Sequence, residues 1–274
     1  MIRSHFVQAD GVRTHYLESG AGPPLVLVHG GGAGADAWGN WQPCIERYAP
    51  SFRVVALDMP GFGKSEKPDP AGYDYGQSRR NRHLAAFIEA LGAGPVNLIG
   101  NSMGGASALG VAMLRPELVS KLVLMGSAGL DISNPDPAVR QSLTGYDFTR
   151  EGMRRLMRTL TGPGYEIDES LLEYRFQLTL PPEARRALAA IRDAGKLTYE
   201  REAIERVQTP TLVVGGKEDK IAVLARTYGY LEVLKNSWGF VLPHCGHWVM
   251  MEAPREFVAI TSAFFANEMF GVKA

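Results

Sequence analysis

Three residues of this chain have the chemistry for acyl transfer, and each falls just past a stretch that reads as a β-strand: Ser102, Asp219 and His247. A serine hydroxyl is a weak nucleophile until a base removes its proton. An imidazole can do that, and a carboxylate behind it holds the ring in the useful tautomer. Ser102 stands in Gly100-Asn101-Ser102-Met103-Gly104, a Gly-x-Ser-x-Gly run between an apolar strand and a helix. Such a run makes a sharp elbow that lifts the hydroxyl above a sheet and seats it at a helix N-terminus. The glycines are needed because strand and helix crowd each other there. In a chain with 31 Gly the pattern arises by chance about 0.2 times, so its surroundings have to decide.

Those surroundings leave rivals at two positions. Glu218 and Asp58 compete with Asp219 for the carboxylate, although Asp58 follows an earlier strand. His244 and His29 compete with His247 for the base; His29, past the first buried strand, otherwise braces the glycine-rich loop that it opens. Gly246-His247 lies after the last strand and before the last helix, which favours His247. An oxyanion formed at Ser102 needs two backbone N–H donors. Met103, the residue after the nucleophile, supplies one in such an elbow, and Gly31 in His29-Gly30-Gly31-Gly32 the other. The loop does not suit phosphate: no Lys-Ser/Thr follows its glycines, and no Gly-x-Gly-x-x-Gly opens a helix there.

The elements that must position these groups follow from hydrophobic patterning. Asp10-Gly11, between 6–9 and 13–17, predicts a hairpin. The runs 25–28, 52–57, 96–99, 121–125, 211–214 and 239–242 are short and apolar, as strands buried on both faces are. Helical segments over 75–91, 102–114, 223–234 and 255–269 alternate with them. The expected class is α/β, a mostly parallel central sheet with helices on both faces and ligand groups at the carboxyl ends of the strands. After 130 the strands stop. Amphipathic segments at 149–160, 168–178 and 182–194, punctuated by Pro and Gly, predict an inserted helical cap over 131–206, with a core made of 1–130 and 207–274.

Composition narrows the function classes. Lys+Arg and Asp+Glu both number 29, which argues against a nucleic-acid partner. No apolar run is long enough to cross a bilayer, so no membrane partner is expected. The first residues lack a signal-peptide pattern, and a cytoplasmic location is expected. Cys44 and Cys245 have no metal-ligand spacing and fit buried thiols in a reducing compartment. No metal site is expected.

The stretches HGGGAG, DMPGFGKSEKPD, GNSMGGA, LVLMGSAGL and PHCGHW resemble the meta-cleavage-product hydrolases of bacterial aromatic degradation. These are α/β-hydrolases that break a carbon–carbon bond in 2-hydroxy-6-oxo-hexa-2,4-dienoates. The resemblance covers nearly the whole chain and is weakest in the cap. Its HGG and GxSxG parts are shared across the superfamily, whereas GNSMGG and GHW are narrower. Gly39-Asn40-Trp41, the stretch from Tyr146 to Gly152, and Ser237-Trp238-Gly239 are most similar to the carbazole-pathway branch, whose substrate bears a 6-(2-aminophenyl) group. The resemblance implies that Asn40 and Asn101 hold the dienoate, that Arg175 pairs with its carboxylate, and that Trp248 packs on the substrate. It implies no metal or organic cofactor, a small-molecule dienoate as partner, and a homodimer or larger homo-oligomer. Biphenyl-type relatives often carry Phe where Ile221 stands here, and Pro soon after where Ala222-Val223-Leu224 stands, so the pocket for the 6-substituent is shaped differently. Helical spacing names Met153, Leu156, Met157 and Phe176 as cap residues lining it. A general carboxylesterase would use the same triad. A receptor would keep the triad and use the cap as a ligand-triggered switch. Ser102 argues against dehalogenases and epoxide hydrolases, which use an Asp nucleophile on this fold.

Overall fold

The apolar runs pair into one eight-stranded sheet; the computed structural model describes residues 1–195 and 198–268. β1 (Arg3–Ala9) and β2 (Val12–Ser19) form a hairpin. Its turn residues Asp10 and Gly11 have φ of 48° and 75°, as a two-residue turn between twisted strands requires. β3 (Pro24–Val28), β4 (Arg53–Leu57), β5 (Val96–Asn101), β6 (Val119–Met125), β7 (Thr211–Gly216) and β8 (Ser237–Leu242) follow. Across the sheet the order is β1-β2-β4-β3-β5-β6-β7-β8. β2 meets β4 antiparallel, and the pairs from β4 to β8 are parallel.

Side chains alternate between the two faces. Leu25, Leu27, Val54, Ala56, Ile99 and Val123 enter one core, and Val26, Val28, Val55, Leu57, Leu98 and Leu122 enter the other. Two buried faces explain why these strands show no apolar–polar alternation. Helices α1 (Ala37–Tyr48), α2 (Gln77–Ala90) and α3 (Met103–Leu114) follow β3, β4 and β5. Leu84, Phe87 and Ile88 of α2 are buried against the sheet, and each contributes about 1.5–3 kcal/mol on transfer arguments.

Between β6 and β7 the chain makes α4 (Pro137–Thr144), α5 (Arg150–Leu160), α6 (Glu169–Gln177), α7 (Pro182–Asp193) and α8 (Arg201–Glu205). The part that holds α4 to α7 leaves and returns at one place, before α8: Gly129 bridges to Thr198, and the Tyr199 N–H donates to the Gly129 carbonyl at 2.7 Å. α9 (Leu224–Val233), α10 (Val249–Glu252) and α11 (Pro254–Phe265) complete the chain. α9 joins α2 and α3 on one face, while α1, α10 and α11 cover the other. Among the described residues no helix is long and apolar enough to cross a membrane.

The sequence reading assigns no helix to α1, α4, α8 or α10. In α1 the interior Gly39 and Pro43 hide a buried stripe of Trp41, Cys44, Ile45 and Tyr48, whose spacing is helical. Asp36 starts that helix by accepting from the Gly39 N–H at 2.6 Å. The last helix ends at Phe265 rather than running to 269; Met269 lies outside the described residues.

The elbow is where the fold is tightest. Ser102 has φ 53° and ψ −117°, a conformation that costs a non-glycine residue about 1–3 kcal/mol. It is held by backbone bonds from the Ser102 N–H to the Met125 carbonyl at 3.2 Å and from the Ala128 N–H to the Ser102 carbonyl at 3.0 Å. A Cβ on Gly100 would lie 2.4 Å from the Gly104 carbonyl oxygen, and one on Gly104 would lie 2.4 Å from that of His29. Releasing the strain at 102 should show in denaturant unfolding: Ser102→Gly is expected to be about 1 kcal/mol more stable than Ser102→Ala. Equal stability of the two variants would mean that the elbow stores no strain.

Candidate active site

β3, β5, β7 and β8 run parallel, so their carboxyl ends share one edge of the sheet. The segments that follow those ends carry Gly31, Ser102, Asp219 and His247. His247 is buried, and its Nδ1 lies 2.8 Å from Asp219 Oδ2. The proton on Nδ1 donates to the carboxylate, which leaves Nε2 free to accept one. Asp219 Oδ1 accepts the N–H groups of Ile221 and Ala222 at 2.7 and 2.9 Å. Burial pushes the Asp219 carboxyl up, but the charge and hydrogen bond of His247 and the two N–H donors outweigh it and hold the group below the usual range. Ser102 lines the same cavities as His247.

Asp58 and His29 are occupied elsewhere, and His244 faces solvent. Asp58 pairs with His15 at 2.8 Å and accepts the N–H groups of Ala37 and Lys64, each at 2.7 Å. His244 is exposed in a turn with φ 60°. His29 Nδ1 donates to the Gly30 carbonyl at 2.6 Å, and its Nε2 accepts the Met59 N–H at 3.0 Å. Burial lowers its pKa, consistent with a neutral ring. That ring braces the glycine-rich loop against the loop after β4. Sequence reasoning missed Gly126. With φ 51° it passes under the dyad, and a Cβ there would lie 3.0 Å from His247 Nδ1.

Gly31 and Met103 meet beside Ser102. A Cβ on Gly31 would come within 2.7 Å of Met103 Sδ. Met103 opens α3, so its N–H has no partner within the helix. Both residues line the cavity that Ser102 borders. The arrangement can accept a developing oxyanion next to a nucleophile and its base.

Two cavities meet at Ser102 and His247. The smaller, of about 20 Å³, is walled by Asn40, Asn101, Arg175 and Trp248. Arg175 is 1 % exposed. It donates to Asn40 Oδ1 at 3.2 Å and to the Ala33 carbonyl at 3.0 Å, and its guanidinium lies 4.7 Å from the Trp248 ring centroid. Among the described residues no carboxylate pairs with it within 4 Å, and its Nε and Asn101 Oδ1 have no hydrogen-bond partner. Burial lowers its pKa to about 10, so it stays a cation at neutral pH. The buried Asp36 carboxylate acts on it electrostatically from beyond ion-pair distance, so a direct carboxylate partner is left for a ligand to bring.

The larger cavity, of about 400 Å³, is mostly apolar and runs under α4, α5 and α7 past Leu143, Phe148, Leu156, Leu188 and Ile221. Of the four lining residues expected from helical spacing, only Leu156 lines it. Met153 and Met157 are fully buried in the core on the α1 face, and Phe176 packs against that core. Amphipathic spacing identifies the apolar face of α5, not what that face meets. Tyr146 and Phe148 also line the cavity or its loop wall and carry no periodic signal.

Residues 23–254 match the family model described as the alpha/beta hydrolase fold. The chain is 47% identical over 96% of its length to the 2-hydroxy-6-oxo-6-(2'-aminophenyl)hexa-2,4-dienoic acid hydrolase of Metapseudomonas resinovorans, covering 90% of that protein. It is 35% identical to the 2-hydroxymuconate semialdehyde hydrolase of Pseudomonas sp. (strain CF600), over 94% of this chain and 92% of the other. Among solved structures it superposes on a serine hydrolase involved in carbazole degradation, the CarC enzyme, with a TM-score of 0.89 and 46% identity, covering 97% of this chain and 100% of the other. The chain belongs to the α/β-hydrolase family and, within it, to the 2-hydroxy-6-oxo-dienoate hydrolases.

Proposed function

We propose that this chain hydrolyses the C5–C6 bond of a 2-hydroxy-6-oxo-hexa-2,4-dienoate bearing an aryl or alkyl group at C6. Water is consumed, and the products are 2-hydroxypenta-2,4-dienoate and a carboxylic acid. The observation that carries this reading is Arg175, a buried cation with no carboxylate within 4 Å among the described residues, on the wall of the small cavity bordered by Ser102 and His247. A neutral ester would give that guanidinium no direct carboxylate partner, whereas a dienoate brings one that the fork suits. The larger apolar cavity gives the 6-substituent its place on the other arm. The 47% identity to a relative named for a 6-(2'-aminophenyl) substrate, against 35% for the hydroxymuconate semialdehyde hydrolase, supports an aryl group there.

In this reading the carboxylate is held by Arg175, and Asn40 and Asn101 hold the dienoate. His247 takes part in moving the dienol proton to C5, which leaves a keto form whose C5–C6 bond can break. The C6 carbonyl oxygen faces the N–H groups of Gly31 and Met103. Ser102 Oγ, or a water that it orients, attacks C6, with His247 as base and Asp219 holding the ring. Trp248 packs beside the bound dienoate. No step calls on a metal or organic cofactor. Residues 131–206 act as a cap over a core of 1–130 and 207–274. The protein works in the cytoplasm, where free buried Cys44 and Cys245 fit a reducing environment, as a homodimer or larger homo-oligomer that light scattering would reveal.

Rapid mixing with the coloured dienolate tests the outline. Ser102→Ala is expected to bind substrate and lose turnover by at least about 10³-fold, and Asp219→Asn by about 10⁴-fold through the wrong imidazole tautomer. Full-speed turnover by Ser102→Ala would sink the proposal. The esterase alternative is separated at Arg175. Arg175→Ala should cut kcat/KM for the dienoate by about 10²-fold or more while a neutral aryl ester loses under about 10-fold. Equal losses on both substrates would favour a general carboxylesterase.

A further inference from the structure

The loop that carries His247 is gripped between two segments. On one side is the end of β7: a Cβ on Gly216 would lie 2.0 Å from the Gly246 carbonyl oxygen. On the other is the end of α5: a Cβ on Gly246 would lie 2.6 Å from the Gly162 nitrogen and 2.6 Å from the Thr161 carbonyl carbon. The backbone N–H of His247 donates to the Leu160 carbonyl at 2.9 Å. That carbonyl ends α5 and has no partner within its own helix. His247 is therefore stationed against α5 as well as against the sheet.

One side chain completes this contact. Glu252 ends α10 and is half-buried. Its Oε2 accepts the Gly162 N–H at 2.7 Å, and its Oε1 accepts the Gly246 N–H at 2.9 Å. A single carboxylate thus spans both chain segments and gives one oxygen to each. Among the described residues no Lys, Arg or His pairs with it; backbone N–H groups take that place. Burial pushes its carboxyl up, and the N–H groups it accepts pull the other way without cancelling the rise. A carboxylate drawn out of water with no cation beside it is costly, and an exposed residue could end α10 without that penalty.

We propose that Glu252 is a positioning residue for His247: it holds Gly246 and Gly162 together, and so fixes where the imidazole stands relative to Ser102. This rests on His247 acting as the base in the reading above and deepens it. Glu252 lines neither cavity at Ser102, so its effect reaches the reaction through His247. Arg175 on α6 and Met103 on α3 lie outside the grip. Loosening it slows proton transfer and leaves carboxylate binding in place.

The test compares the full-length enzyme with Glu252→Gln, whose one amide oxygen cannot serve both N–H groups from the two sides, and with Glu252→Ala. Single turnovers are followed with enzyme in saturating excess, so the rate constant does not depend on how much of the protein is folded. In Glu252→Gln the rate constants for the coloured dienolate and for para-nitrophenyl acetate should both fall about 10-fold or more, with the dienoate KM within about 3-fold of the unaltered enzyme. Glu252→Ala should lose at least as much. Added formate, a carboxylate small enough for the vacated space, should restore part of its rate on the ester, which makes no use of Arg175. A purely structural role would lower the amount of competent enzyme, leave the rate constants unchanged and give formate nothing to restore. Unchanged rate constants, or an Ala variant that is slow and ignores formate, would overturn the proposal. Each variant is read independently, so if one fails to fold the other decides. Should the unaltered enzyme cleave no dienoate, the substrate reading falls, and the ester arm still decides the role of Glu252.

Discussion

Main chain meets main chain around Ser102 with no room for a single extra carbon. Gly100 touches the start of α3 and Gly104 touches the carbonyls at the end of β3, while Gly31 lies against the Met103 side chain. These approaches bring two loops and a helix start close enough for a hydroxyl and two backbone donors to share one cavity. Backbone N–H groups in such close-packed main chain would reorganise little if charge developed beside them, which is the condition for strong electrostatic stabilisation. The strain at Ser102 is the counterpart of that fixity: the surrounding backbone bonds over-determine its conformation.

A second layer of buried charge positions the polar arm. Asp58 accepts from His15 on β2, from the Ala37 N–H at the start of α1 and from the Lys64 N–H after β4. It thereby fixes α1, the helix that carries Asn40 and sets it against Arg175. Asp36, the cap of that helix, accepts from the Tyr174 hydroxyl, and so links the core to α6 beside Arg175. Burial, with repulsion from Asp58, pushes the Asp36 carboxyl up to about 6. The site therefore sits in a region where desolvation is expensive, and among the residues that wall the small cavity Arg175 Nε and Asn101 Oδ1 are the buried side-chain atoms left without a partner.

The elbow, the strand-end Asp219 and His247, and the parallel sheet were legible because each is a local pattern: a glycine spacing, an apolar run, a chain order. What stayed hidden depends on contacts between distant segments. Asp58 and Asp219 both follow apolar runs, and only the fold reveals that one faces His15 and the other His247. α1 escaped because Gly39 and Pro43 lower local helix propensity, while burial of Trp41 and Tyr48 overrides them. Met153 and Leu156 sit on the same apolar stripe of α5, yet one is sealed in the core and the other opens to the cavity. Periodicity measures how a helix is oriented, and the depth of each side chain depends on what lies opposite.

The bridge between Gly129 and Thr198, with the Tyr199 N–H closing onto the Gly129 carbonyl, has an evolutionary meaning. A segment that departs and rejoins at one point adds little strain to the sheet whatever its length, since the closure cost of a longer excursion grows only slowly. Helices α4 to α7 can therefore drift, lengthen or be exchanged while β6 and β7 keep their register. Selection can reshape the walls of the larger cavity without disturbing Ser102, Asp219 and His247 at the strand ends.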